Sequence, residues 1–114
     1  RIKGSKVLVL GITFKENCPD IRNSRVIDII NEFNTYDVAV DVYDPWASFE
    51  EVKEEYGFDL LNCNTKLQDT YDGIVLAVSH KEFLDLDITA LKSNTCVVFD
   101  VKSLYAKHLT DARL

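Results

Sequence analysis

Four apolar runs rich in β-branched residues divide the chain, at 7–12, 38–43, 74–78 and 96–101. Each is nearly continuous rather than alternating, as expected for strands buried on both faces of a parallel sheet. Val26, Ile27, Ile29, Ile30 and Phe33 recur at helical spacing after Ser24, which predicts a helix between the first two runs. Ser48-Phe49-Glu50-Glu51 and Thr65-Lys66-Leu67-Gln68 both have capping-box spacing and predict two further helix starts. Asp87 is placed to cap a short helix through Leu91, and residues 58–61 read as a short extra strand. The last residues, 104–114, read as a terminal helix or an ordered tail. The order β-α-β-α-(β)-α-β-α-β predicts an α/β fold: a three-layer, Rossmann-like doubly wound parallel sheet of four to five strands.

One stretch sits badly in that scheme. Residues 11–24, GITFKENCPDIRNS, follow the first strand, where a dinucleotide-binding protein has its glycine-rich phosphate turn. Only Gly11 is present; Ile12, Phe14 and a long polar insert would crowd a pyrophosphate at the helix N-terminus. Asp44 stands at the end of the second strand, where a ribose-binding acid belongs, but an acid before proline is more often a turn former. On the missing glycines the NAD-site reading of this loop fails.

The insert offers other chemistry. Lys15 and Arg22 supply a point charge and a planar fork, both suited to phosphate. Ser24 and the following first helical turn add N–H donors, and Phe14 and Trp46 are suited to sandwich a ring. The competing reading pairs Lys15 and Arg22 with Glu16 and Asp20 as a solvated surface, and spacing alone does not choose. In an open parallel sheet, ligands bind beyond the carboxyl ends of the strands. There, Thr13-Phe14-Lys15, Tyr43-Asp44-Pro45-Trp46, Ser79-His80-Lys81 and Asp100-Val101-Lys102 are expected to converge.

Composition narrows the function classes. At 114 residues and 46% hydrophobic content the chain suits one domain, residues 1–114, with a core of its own. A net charge of −6 argues against a general nucleic-acid binder. No apolar run reaches membrane-spanning length, so no membrane partner is expected and a cytoplasmic location is the default. Cys18, Cys63 and Cys96 are odd in number and lack C-x-x-C spacing, which fits reduced thiols and neither a disulfide framework nor a metal site. The chain starts at Arg1 and has no methionine, from which a fragment of a larger protein is expected.

Taken with the "VYDP", "AVSHKEF" and "FDVK" segments later in the chain, the loop motif resembles the C-terminal domain of the UDP-glucose/GDP-mannose dehydrogenase family. The wording is most similar to the branch that oxidises UDP-N-acetylhexosamines for bacterial surface polysaccharides. The resemblance implies a UDP-sugar-binding domain. In the family's parent enzymes an N-terminal domain binds NAD and a central helical region carries the catalytic cysteine. The sugar C6 hydroxyl becomes a carboxylate in two NAD-dependent steps, and the parent is a homo-oligomer.

Carried onto this chain, the resemblance makes Phe14 and Lys15 the pair that lies against substrate, and Arg22 the arginine of a following D-x-R motif. Lys102 stands where the glucose branch has arginine, keeping the charge but losing the fork. His80 replaces a tryptophan and either faces the uridine site or is a helix-capping or satisfied loop histidine. The substrate-binding set is therefore Phe14, Lys15, Arg22, Lys102 and His80, with no catalytic, cofactor-binding or metal residue. Cys18 is not the family nucleophile, because the surrounding G-G-x-C-type motif is absent and no histidine is near in sequence. The chain alone is expected to lack dehydrogenase activity, its NAD-binding and central domains being absent. The alternatives are a UDP-glucose 6-dehydrogenase domain, a non-enzymatic nucleotide-sensing module and a stand-alone NAD-binding redox domain.

Overall fold

The computed structural model, which describes residues 4–22, 24–61, 70–100 and 112–113, centres on a five-stranded parallel sheet. The strands are β1 (Lys6–Leu10), β2 (Ala39–Tyr43), β3 (Tyr71–Leu76), β4 (Lys92–Asp100) and β5 (Ala112–Arg113), in the spatial order β2-β1-β3-β4-β5. Val7 to Leu10 of β1 lie between Val40 to Tyr43 on one side and Gly73 to Leu76 on the other. The chain thus leaves β1 for β2 in one direction and returns past it to β3, placing the topological switch at the carboxyl end of β1.

Alternation along β1 feeds two cores. Val7 and Val9 pack with Val42 and with Val26 and Ile30 of helix α1 (Val26–Thr35) and Val52 of helix α2 (Phe49–Tyr56). Leu8 and Leu10 face the opposite way, onto Ile74, Leu76, Val98, Phe83 of a 3-10 helix (Lys81–Asp85), and Ile88 and Leu91 of helix α3 (Ile88–Leu91). Successive strand side chains point to opposite faces, so both sides of this central strand must be covered. Burying each such aliphatic side chain stabilises the fold by about 1.5–3 kcal/mol. The expected three-layer α/β architecture is what forms.

Helix boundaries follow local chemistry. Ser48 Oγ accepts from Glu51 N–H at 3.3 Å and starts α2, while Gly57, at φ 83°, ends it with its N–H on the Lys53 carbonyl. Asp87 caps α3 through Ala90 N–H. In α1 the helical residues begin at Val26, and Ser24 Oγ accepts from Val26 N–H at 3.3 Å. The capping box expected at Thr65 lies outside the described residues.

Two expectations need correction. Residues 58–61 form no strand: Leu60 is buried, and Leu61 N–H donates once to the Val42 carbonyl without building a ladder. Of residues 104–114 only 112–113 are described, and they form β5, with Ala112 opposite Phe99 and Arg113 opposite Asp100. Strands β3 and β4 also begin earlier than their apolar runs. Their polar first halves are matched: Asp72 accepts from Lys6 N–H and Ser93 Oγ, and the buried Tyr71 donates its hydroxyl to Asp41.

Candidate functional site

The loop after β1 turns at Gly11, which has φ 100° and lies against Val78; a Cβ built there would be 2.5 Å from Val78 Cβ. Its N–H donates to the Tyr43 carbonyl, while Ala77 and Val78 N–H both donate to the Leu10 carbonyl. The carboxyl ends of β1, β2 and β3 are therefore drawn together at the switch point.

A buried polar network anchors the residues beyond Gly11. Asp44, fully buried at the end of β2, accepts on Oδ2 from Ile12 N–H at 2.7 Å and Thr13 N–H at 3.2 Å, and on Oδ1 from Trp46 N–H at 2.8 Å. His80, equally buried beyond β3, places Nε2 3.0 Å from Asp44 Oδ2 and 3.0 Å from Thr13 Oγ1. Its Nδ1 accepts from Asn17 N–H at 2.9 Å, and Asn17 Oδ1 accepts from Lys81 N–H. The ring is covered by Trp46, stacked at 6.0 Å between centroids, and by Phe83, tilted at 5.4 Å. Trp46 Nε1–H donates to Glu82 Oε1 at 2.8 Å, and that bond holds the Glu82 carboxyl below its usual pKa.

Above this base the insert rises as an anchored loop. Phe14 N–H donates to the Asp20 carbonyl at 2.6 Å, closing residues 14–20 on themselves. Ile21 is buried in the α1/α2 core, and its carbonyl accepts from the Tyr56 hydroxyl. What the loop leaves outside is Phe14, 58% exposed, together with the exposed Lys15, Glu16 and Asn17. Among the described residues, the Lys15 ammonium has no ion-pair partner. The Arg22 side chain, 79% exposed, donates from Nε and Nη2 to the two oxygens of Asp20. Those bonds lower the Asp20 pKa and raise that of Arg22.

The sequence-derived site residues separate on this geometry. Phe14 and Lys15 are presented to solvent at the switch point. Arg22 is exposed but already paired with Asp20, as the solvated-surface reading has it. His80 is withdrawn from the surface with both ring nitrogens used inside the protein, the arrangement of the satisfied-loop-histidine reading. Lys102 lies outside the described residues, as does Cys63. Phe14 and Trp46 make no ring contact; Trp46 is committed to His80 and Glu82. Cys18 is a free, half-buried thiol. From the sequence, Thr13 is reached only as a member of the cluster at the end of β1 and Asn17 not at all, although an asparagine in a tight loop is a known tenant of the left-handed region that Asn17 adopts at φ 53°.

The loop does not suit a dinucleotide. Gly11 has no room behind it, Ile12 is buried, and both Asp44 oxygens that would take a ribose are spent on backbone N–H groups and His80. Residues 8–107 match the model of the UDP-glucose/GDP-mannose dehydrogenase family, UDP binding domain. The chain belongs to that family. It is 43% identical, over 99% of its length, to a UDP-N-acetyl-D-glucosamine 6-dehydrogenase of Pseudomonas aeruginosa, of which it covers 27%. It is 32% identical, over 93% of its length, to a UDP-glucose 6-dehydrogenase of Rhizobium meliloti, covering 25% of that protein. A UDP-glucose dehydrogenase structure from Pyrobaculum islandicum superposes with a TM-score of 0.74 at 23% identity, over 97% of this chain and 25% of that one, a likeness of fold. The chain thus spans about a quarter of the length of the relatives it matches. Among the described residues no helix is long and apolar enough to cross a membrane.

Proposed function

We propose that this chain is the UDP-sugar-binding domain of a larger, NAD-dependent nucleotide-sugar 6-dehydrogenase that oxidises the C6 hydroxyl of a UDP-N-acetylhexosamine to a carboxylate for surface polysaccharide synthesis. The observation that carries the reading is the loop at the switch point: glycine-poor, fastened from below by Asp44 and His80, and presenting Phe14 and Lys15 outward. Membership of a family's UDP-binding domain gives that loop its ligand class, and the 43% identical relative supports an N-acetylhexosamine. Lys15 contributes a positive charge to the diphosphate or sugar, and Phe14 an apolar face. Arg22 joins by exchanging part of its bidentate contact with Asp20 for substrate oxygens.

NAD, on this reading, is held by another domain, since the residues of this loop do not fit it. The parent enzyme works in the cytoplasm as a homo-oligomer, and closure between its domains completes the site. The match to about a quarter of each relative supports the view that the 114 residues are one domain of that enzyme and that they do not oxidise substrate alone. Calorimetric titration of the chain with UDP, and separately with NAD, tests the proposal. Heat from UDP without heat from NAD is expected. NAD binding without UDP binding would overturn it and make this a redox domain.

A further inference from the structure

The histidine withdrawn from the surface is wired to the residues that remain on it. Thr13 donates its hydroxyl to the Lys15 carbonyl at 3.0 Å, so toward His80 Nε2 its oxygen is an acceptor. Asp44 Oδ2 is an acceptor on the same nitrogen. On the other side of the ring Asn17 offers a backbone N–H, which only donates. The pattern admits one tautomer: hydrogen on Nε2, lone pair on Nδ1. Asn17 itself has φ 53°, a left-handed conformation that asparagine visits more readily than most residues and that local contacts hold here. Here the fixing contacts are Nδ1 of His80 on its N–H and Lys81 N–H on its side-chain oxygen. The loop tip is therefore pinned twice around Lys15, by Thr13 at its carbonyl and by His80 two residues on.

We propose that His80 is a positioning residue for nucleotide-sugar binding, with its two nitrogens doing separate jobs. Nε2–H ties the ends of β1, β2 and β3 together through Asp44 and Thr13 and serves the fold. Nδ1 holds Asn17 and so sets the direction in which Phe14 and Lys15 are presented. This assignment rests on the UDP-sugar reading of the loop, but its structural half is measurable without ligand.

Three measurements on the 114-residue chain decide it. Long-range proton–nitrogen NMR correlations should find Nδ1 unprotonated and Nε2 protonated; a ring protonated at Nδ1 overturns the proposal. In His80→Gln the side-chain amide reaches the Nε2 position and can still donate to Asp44, but leaves Asn17 N–H without an acceptor. The amide resonances of Phe14 to Asn17 should then shift and lose exchange protection while those of α1 stay, and UDP affinity should fall about three- to tenfold, the value of one hydrogen bond. In His80→Asn the shorter amide stands near the Nδ1 position, so the melting temperature should drop while the fraction that remains folded keeps its affinity. Tip resonances unmoved in His80→Gln, or moved with affinity unchanged, overturn the proposal. If the wild-type chain alone binds no UDP, the affinity comparison is made in the intact enzyme, whose other domains complete the site, and the tip resonances still decide whether Nδ1 positions the loop.

Discussion

Gly11 and Val78 approach so closely that no side chain fits between them: an added Cβ would stand 2.5 Å from Val78 Cβ and 2.9 Å from Val78 N. The contact draws the ends of β1 and β3 together and lets the chain turn at φ 100° into the site loop. Gly11→Ala should therefore destabilise through two routes, each about 1–3 kcal/mol: backbone strain and overpacking against Val78. Urea denaturation checks this, and a loss under about 1 kcal/mol would mean that β3 can shift to make room.

Asp44→Ala should cost several kcal/mol, about 1–3 for each buried donor left unsatisfied, because it strands the His80 Nε2–H and three backbone N–H groups that the carboxylate now satisfies. Such a loss is a large part of the roughly 5–15 kcal/mol that holds a domain of ordinary size together. Thermal melting is the readout. A variant that melts normally yet fails to bind UDP would move Asp44 from the framework into the ligand site.

Lys15 stands outside that framework, so its removal should separate binding from stability. Lys15→Ala is expected to leave melting unchanged and to weaken UDP-sugar affinity about tenfold or more in the intact enzyme, the value of one charge-assisted contact. Arg22→Ala should lose less, since the guanidinium must give up Asp20 contacts to reach the substrate. Equal losses, or a larger one at Arg22, would show that Asp20 pre-orients the arginine and does not compete for it. Unchanged affinity in Lys15→Ala would remove it from the site.

The chain's single tryptophan reports on the same corner of the molecule. The Trp46 indole N–H favours the ionised form of Glu82 and lowers its pKa from the ordinary 4.5. With a folded pKa below the unfolded one, the contribution is complete above the unfolded value and is lost as pH falls through the folded one. Trp46 fluorescence should consequently be flat from neutrality down to about pH 4.5 and change below it. Glu82→Gln should abolish that step; a step that persists belongs to another group.

Much of this was legible before any coordinates. Periodicity located β1 and β2 within two residues of their ends, because apolar runs mark strands buried on both faces. Ser48 and Asp87 announced their helices through cap chemistry that depends on neighbours only three residues away. The loop motif at 11–24 stood out as too poor in glycine for a dinucleotide turn, but its residues alone left a phosphate site and a solvated surface both open, and a ligand class came only with the family resemblance. Long-range partners were a different matter. Nothing adjacent to Tyr71, Asp72 or Ser93 says that polar residues open β3 and β4, because Asp41 answers Tyr71, Lys6 answers Asp72 and Asp72 answers Ser93, each from another strand. Likewise the short β5 exists only because β4 offers it an edge.

His80 is where the two kinds of information part. Local sequence placed it beyond the third strand, at the edge where ligands gather, and left open which way it faced. Packing settled that: Trp46 and Phe83 cover its ring, while Asp44, Thr13 and Asn17, between 36 and 67 residues away, occupy its nitrogens. Spacing along a chain encodes strands, helices and caps, whose forces act within a few residues. The orientation of a buried polar ring is chosen by whichever donors and acceptors the fold brings to it, and those meet only after the sheet has formed.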